Sequence, residues 1–382
     1  MIAPPLSLYV HLPWCVRKCP YCDFNSHTAG SSAPRDRYVD ALLRDIDNEA
    51  RNAGGRRLES VFLGGGTPSL FSPQHIGRLT DHIARRFALA DDVEITMEAN
   101  PGTVECGDPA GYLKAGVNRL SIGAQSFSPK MLQTLGRIHS SEDIGRAVTD
   151  AQQAGFDNIN IDLMHALPGQ DTAGAIADIE AALALGPQHL SWYQLTLEPN
   201  TVFHARPPAG IPDDDQAAEI QREGQALLSA HGFRQYEVSA FARPGRECRH
   251  NLNYWSFGDY LAAGAGAHGK ISGVDGVRRY AKPANPMSYM LAMESGDDVG
   301  HGDPLPADEL VFEFMLNALR LADGFDEAVF EARTGLDAGR LSVAARASVA
   351  RGLLERDSGG TWRPTELGGR FLNDLQGAFL PG

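Results

Sequence analysis

Short β-rich runs alternate with amphipathic stretches through the first half of the chain, and this alternation restricts the fold more than any other feature of the sequence. The candidate strands are residues 6–12, 60–64, 93–98, 119–123, 158–164 and 189–195. The candidate helices between them are 37–53, 73–87, 109–115, 141–154 and 173–185. Parallel strands need a long crossover, and a helix supplies one, so this order predicts a parallel sheet with right-handed connections. Six units in about 190 residues fall short of the eight that close a barrel. The expected fold is therefore α/β, a partial (β/α)6 TIM-like barrel.

The pattern breaks after Pro199. Residues 205–215 are rich in Pro and Asp and read as a surface connection. A helix at 216–231 and a strand at 235–241 follow. The Gly- and Ala-rich run 256–272 reads as an edge strand with bulges. Residues 296–306 look like a linker. Beyond them come helices at 307–321 and 336–352, a hairpin at 353–365 turning on Ser358-Gly359-Gly360, and a helix at 367–375. Helices followed by a hairpin predict a small winged-helix-like module. The expected division is a barrel over 1–205, an extension completing one side of it over 206–300, and the C-terminal module over 301–382.

Winged helices often bind DNA, but the charge argues against it here. The 382 residues carry 34 Lys and Arg against 48 Asp and Glu, a net −14, which repels a polyanion. No nucleic-acid partner is expected, and the module reads as a packing or partner surface. No apolar run approaches the ~18 residues of a membrane span. The apolar N-terminus lacks a cationic start and a small-residue cleavage site, so it reads as a strand and not a signal peptide. A cytoplasmic protein without its own membrane span is expected. Five cysteines, three of them crowded together, do not make a disulfide framework.

Cys15, Cys19 and Cys22 form a CxxxCxxC string directly after the first strand, the end at which α/β barrels carry chemistry. A zinc site asks for a fourth ligand, for which His27 is the nearby candidate. A dithiol redox pair uses Cys19 and Cys22 and leaves Cys15 without a role. Three thiolates suit a 4Fe–4S cluster with one iron left open to a small chelator. The amino-acid end of S-adenosylmethionine is such a chelator. An electron from the cluster would then cleave the sulfonium and release a deoxyadenosyl radical.

The stretch from Tyr9 through Cys15, continuing as Cys19-Pro20-Tyr21-Cys22-Asp23-Phe24, resembles the radical S-adenosylmethionine superfamily. More narrowly it is similar to the group of oxygen-independent coproporphyrinogen III oxidases and HemW-type heme chaperones. The resemblance covers nearly the whole chain, including the C-terminal module. Read alone, Gly64, Gly65 and Gly66 permit a close backbone approach or form an ordinary turn. Glu98, Gln125 and Asp162 are polar residues in apolar strands, costly unless paired. The resemblance implies that Gly65, Gly66 and Thr67 lie on the loop that meets the methionine amino group. It implies that Glu98, Gln125 and Asp162 contact the ribose and adenosyl parts. By the same likeness Arg137 grips a cofactor carboxylate, Tyr9 stands next to the cluster, and Tyr21 lines the pocket. A solvated arginine and a core tyrosine are the plainer alternatives for Arg137 and Tyr9.

The string His250-Asn251-Leu252-Asn253-Tyr254-Trp255 resembles a signature of the heme-chaperone members. A neutral imidazole can ligate heme iron and aromatic rings can pack on the macrocycle, so His250 is the expected heme ligand. Alternatively, His250 and Asn251 bond the loop while Tyr254 and Trp255 are core. Cys248 is a second candidate thiolate or an inert buried thiol; Cys106 has no assignment. The oxidases carry a further cysteine two residues after the third, where this chain has Phe24. They also have a longer extension before the cysteines than the 14 residues here. The expectation is thus a heme chaperone that holds a 4Fe–4S cluster, S-adenosylmethionine and heme. It would deliver heme to acceptor (respiratory) proteins, with a flavodoxin- or ferredoxin-like electron donor. The oxygen-independent coproporphyrinogen III oxidase is the alternative, and no catalytic residue is assigned.

Overall fold

The computed structural model describes residues 3–30, 33–102, 107–296 and 302–381. Cys106 and residues 297–301 of the expected 296–306 linker lie outside these. Six parallel strands form the centre: β1 (Leu6–Leu12), β2 (Leu58–Gly65), β3 (Leu89–Ala99), β4 (Arg119–Gln125), β5 (Ile159–His165) and β6 (His189–Gln194). Each pairs with the next in chain order. This is the arrangement the alternating pattern predicts.

One face of the strands carries Leu8, Val10, Leu63, Met97, Ile122, Ile161 and Leu190, buried in the main core against the flanking helices. The other face is polar and internally bonded. Ser7 and Ser60 hydroxyls lie 2.8 Å apart. Asn160 Nδ2 donates to Ser121 Oγ at 2.7 Å and to Asp162 Oδ1 at 2.8 Å, and His189 Nδ1 lies 2.6 Å from Asn160 Oδ1. Buried polar groups persist only when paired, so this network narrows the arrangements the inner face can adopt. The helices begin and end where local chemistry directs. Ser140 caps Ser141–Ala154 in a reciprocal box with Asp143, and Gly155, at φ 106°, stops it.

The sheet runs on past both ends of the parallel core to eleven strands. Asp259–Ala263 joins β1 in parallel, and His268–Gly273 and Gly276–Ala281 continue from it antiparallel. This corrects the reading of 256–272 as one edge strand. All five residues of Asp259–Ala263 are buried, so no alternation marks this strand in the sequence. At the far end, Ala240–Ala242 pairs antiparallel with β6 and with Arg234–Glu237, so the expected strand at 235–241 is a hairpin. Lys282 Nζ ties the added strands to helix Arg35–Asn52 through Asp45 and Glu49, each at 2.7 Å, inside the protein.

The C-terminal residues build a separate core around Phe314, Phe330, Leu341 and Leu375. Helices Ala307–Ala318, Glu327–Thr334 and Ala338–Ala350 precede the hairpin Leu354–Arg356 and Thr361–Pro364, which Phe325–Asp326 extends. This is the order of a winged helix; the eight-residue middle helix is too short to show a period in sequence. The module seats on the barrel's terminal hairpin through Val238 N–H to Arg320 O and Ala322 N–H to Tyr236 O.

Candidate functional site

The carboxyl ends of the parallel strands open on a cavity of about 580 Å³. Cys15, Cys19, Tyr21 and Cys22 line it from the loop after β1. Gly65, Gly66 and Thr67 line it from the end of β2, Glu98 from β3, Gln125 from β4, Arg137 from the loop that follows, and Asp162 from β5. Eleven residues singled out along 150 positions of sequence thus meet at one opening.

The cysteine loop is anchored at both sides. Trp14–Cys15 pairs in parallel with His27–Thr28, and Cys22 N–H donates to Cys19 O at 3.2 Å. All three thiols are partly exposed. Burial still holds the Cys22 thiol up from its ordinary value. Among the described residues, no three or more His, Cys, Asp or Glu converge as they stand to hold a metal ion. A group bound by Cys15, Cys19 and Cys22 therefore either spans the gaps between thiols, as a polynuclear cluster does, or draws them inward. The donor set itself, three soft sulfurs on one loop, suits an iron–sulfur cluster.

The glycines leave room for chain more than for ligand. A Cβ on Gly65 would meet the His11 ring at 2.5 Å, and one on Gly66 would meet Trp14 O at 2.7 Å. Gly65 also has φ +118°, which side chains other than hydrogen resist. The close approach turns the Gly65 N–H toward Glu98 Oε2, 3.0 Å away. Glu98 is pushed up to about 8, first by burial and then by the Asp162 charge; the Gly65 bond opposes this. Asp162 is itself raised by burial, against donors that include Ser121. Gln125 sits at φ 68° where β4 shifts register against β5, and its Oε1 accepts from the Tyr193 hydroxyl at 2.7 Å. Left-handed backbone at a non-glycine residue costs about 1–3 kcal/mol, and such strain concentrates at functional sites.

Arg137 crosses the cavity. Its Nη2 donates to Asn100 Oδ1 at 2.7 Å and Gly123 O at 2.8 Å, while Nη1 lies 3.6 Å from Cys19 Sγ. Asn100 Nδ2 in turn donates to Thr67 Oγ1 at 3.0 Å. One polar chain thus joins the glycine loop to the cysteines.

Two expected residues lie elsewhere. Tyr9, half-buried, is not among the residues that line the cavity. Its hydroxyl is 2.9 Å from His11 Nδ1, and His11 Nε2 is 2.9 Å from Asn25 O on the cysteine loop, so Tyr9 reaches that loop only through His11. His250, expected to ligate heme, is 8 % exposed. Helix Arg249–Trp255 plugs the inner face of the sheet: its first N–H groups point at Glu94, and Asn253 Nδ2 donates to Ser7 Oγ at 2.9 Å. The imidazole packs on Phe62 with centroids 5.1 Å apart, and Nδ1 lies 3.3 Å from Ser60 Oγ. Burial drops its pKa to about 3, so the buried ring is held neutral. Asn251 and Trp255 of the same helix do line the cavity.

Sequence reasoning missed Ser191, Tyr193, Glu237, Ser239 and Arg320, all of which line the cavity. For Ser191 and Tyr193 the signal was present: they alternate with buried Leu190 and Trp192 along β6. Glu237, Ser239 and Arg320 arrive through the hairpin and the C-terminal module, and no local pattern marks them.

Comparison with known proteins agrees with this geometry. A model of the radical SAM superfamily matches residues 9–181, and one of the HemN C-terminal domain matches residues 305–371. The chain is 48 % identical to heme chaperone HemW of Escherichia coli, over 99 % of this chain and 98 % of that protein. It is 44 % identical to HemW of Haemophilus influenzae over the same shares, and 34 % identical to that of Bacillus subtilis over 98 % and 99 %. Among solved structures, coproporphyrinogen III oxidase (HemN) from Escherichia coli superposes with a TM-score of 0.81, covering 99 % of this chain and 90 % of that one at 24 % identity. No helix among the described residues is long and apolar enough to cross a membrane. With a radical SAM barrel, a HemN-type C-terminal domain and full-length relatives at up to 48 % identity, the chain belongs to the HemW family of the radical SAM superfamily.

Proposed function

We propose that the protein is a cytoplasmic heme chaperone of the radical SAM type. The observation that carries this reading is similarity along the whole length to proteins named heme chaperone HemW. Cys15, Cys19 and Cys22 would hold a 4Fe–4S cluster, which when bound supplies an open iron and an electron. Tyr21, Gly65, Gly66, Thr67, Glu98, Gln125, Arg137 and Asp162 would hold S-adenosylmethionine in the cavity they line. A largely protonated Glu98 can donate as well as accept, which suits a ribose hydroxyl. Arg137 offers a planar fork to a carboxylate. Heme is the cargo, passed to acceptor proteins, and a flavodoxin- or ferredoxin-like protein supplies electrons.

Phe24 supports this reading over the oxidase. It stands 59 % exposed where the resemblance places a further oxidase cysteine, and it offers an apolar face in place of a thiol. Anaerobic reconstitution followed by iron and sulfide counting tests the cluster: near four of each per chain are expected, with near-total loss in Cys19→Ser. Hemin titration tests the cargo, through a Soret band. Conversion of coproporphyrinogen III to protoporphyrinogen by the reconstituted protein would replace this reading with the oxidase.

A further inference from the structure

Ten buried side-chain N or O atoms have no hydrogen-bond partner among the described residues, and four of them belong to residues that line two adjoining cavities. They are His165 Nδ1, Trp192 Nε1, Trp255 Nε1 and Arg320 Nε. His165 and Trp192 lie on the floor of a second cavity, of about 480 Å³, between β6 and the C-terminal residues 369–374. Trp255 lines the first cavity, and Arg320 lines both. The two cavities also share Tyr193 and Ser239, so they meet along a seam beside Arg320.

Three of the four atoms can only donate, and the fourth donates in its Nδ1–H tautomer. A buried donor without an acceptor costs about 1–3 kcal/mol, so an acceptor brought in beside Arg320, which lines both cavities, would relieve such a cost. His165 is 3 % exposed and Trp192 2 % exposed, with ring centroids 4.2 Å apart. The Arg320 guanidinium lies 4.3 Å from the Trp255 ring, and its Nη2 donates to Glu237 at 3.2 Å. That ion pair holds the guanidinium in place and leaves Nε over. A guanidinium set between a cavity lined by Trp255 and one lined by Trp192 suits a carboxylate attached to a flat aromatic body.

We propose that this seam binds the carboxylate of a planar organic acid. Resting on the heme-chaperone reading, the acid is the propionate edge of the tetrapyrrole. The macrocycle enters from the first cavity, and its carboxylate meets Arg320 with Trp192 and His165 beyond.

The test sets the carboxylate against the arginine. Protoporphyrin IX and its dimethyl ester are titrated into the full-length protein and followed by porphyrin fluorescence anisotropy. The free acid is expected to bind more tightly than the ester. Arg320→Gln is expected to weaken the acid by roughly tenfold or more, the scale of a lost charge-assisted bond, and to leave the ester unchanged. Trp192→Phe removes the N–H together with the five-membered ring and keeps a six-membered aromatic side chain in place. It carries the same test if Arg320→Gln fails to fold, with a several-fold loss confined to the acid. Equal losses for acid and ester, or none, overturn the seam while leaving heme binding intact, and mean that the cavity holds only water. Failure of the wild-type chain to bind either porphyrin overturns both the seam and the chaperone reading.

Discussion

Arg137 Nη1 stands 3.6 Å from Cys19 Sγ, although 118 residues separate them. The guanidinium also binds Asn100 and Gly123. One side chain thus fastens the cysteine loop to the ends of β3 and β4. Arg137→Leu is expected to lower affinity for S-adenosylmethionine by roughly tenfold or more and to destabilise the fold by about 1–3 kcal/mol. Calorimetric titration of reconstituted protein and urea denaturation measure the two. An Arg137→Lys variant that matches wild type in both would show that charge suffices and the forked geometry is idle.

Glu98 gives the stability a pH signature. A carboxyl raised from 4.5 to about 8 binds more protons folded than unfolded between those values. Stability therefore falls as pH rises through that window and levels off above it. The slope from this group is at most about 1.4 kcal/mol per pH unit. Glu98→Gln removes the titrating group and keeps an oxygen to accept from the Gly65 N–H, so its stability should decline less between pH 5 and pH 8 (a window of roughly three units). Parallel curves for variant and wild type in denaturation across that range would contradict the assigned burial.

Gly65→Ala tests the packing of the glycine loop on His11. The added methyl meets the imidazole at 2.5 Å, and the backbone at φ +118° resists any side chain. A loss of about 1–3 kcal/mol is expected, read from the thermal midpoint. Gly30→Ala serves as control, since nothing lies within 4 Å of its new methyl. Equal midpoints for the two variants would refute the steric account.

His250→Ala should act on stability and not on heme. Emptying a packed interior position costs about 2–4 kcal/mol, and the Soret band of added hemin should keep its position. Wild-type His250, lowered from 6.5 to about 3, resists protonation when folded and accepts it when unfolded. It therefore draws stability down as pH falls from 6.5 toward 3, a loss the variant lacks. A shifted or missing Soret band in a folded variant would return His250 to the heme site.

Residues 6–12 already read as a strand because their apolar positions alternate, and the barrel follows because each strand–helix unit has one way to pack on the last. Cys15, Cys19 and Cys22 were legible because eight residues of one loop hold all three thiols. Glu98, Gln125 and Asp162 were legible because a polar residue inside an apolar strand needs a partner. What only the tertiary structure decided depends on residues distant in the chain. His250 and Trp255 sit five positions apart on one helix, yet the first faces the protein interior and the second the cavity, since the sheet that covers the helix comes from residues 6–12, 58–65 and 89–99. Arg320 reaches the cavity only because the C-terminal module docks on the hairpin at 234–242. Short-range chemistry sets which elements form, whereas burial, and with it the charge and reach of each side chain, is a property of the surfaces that elements far apart in sequence bring together.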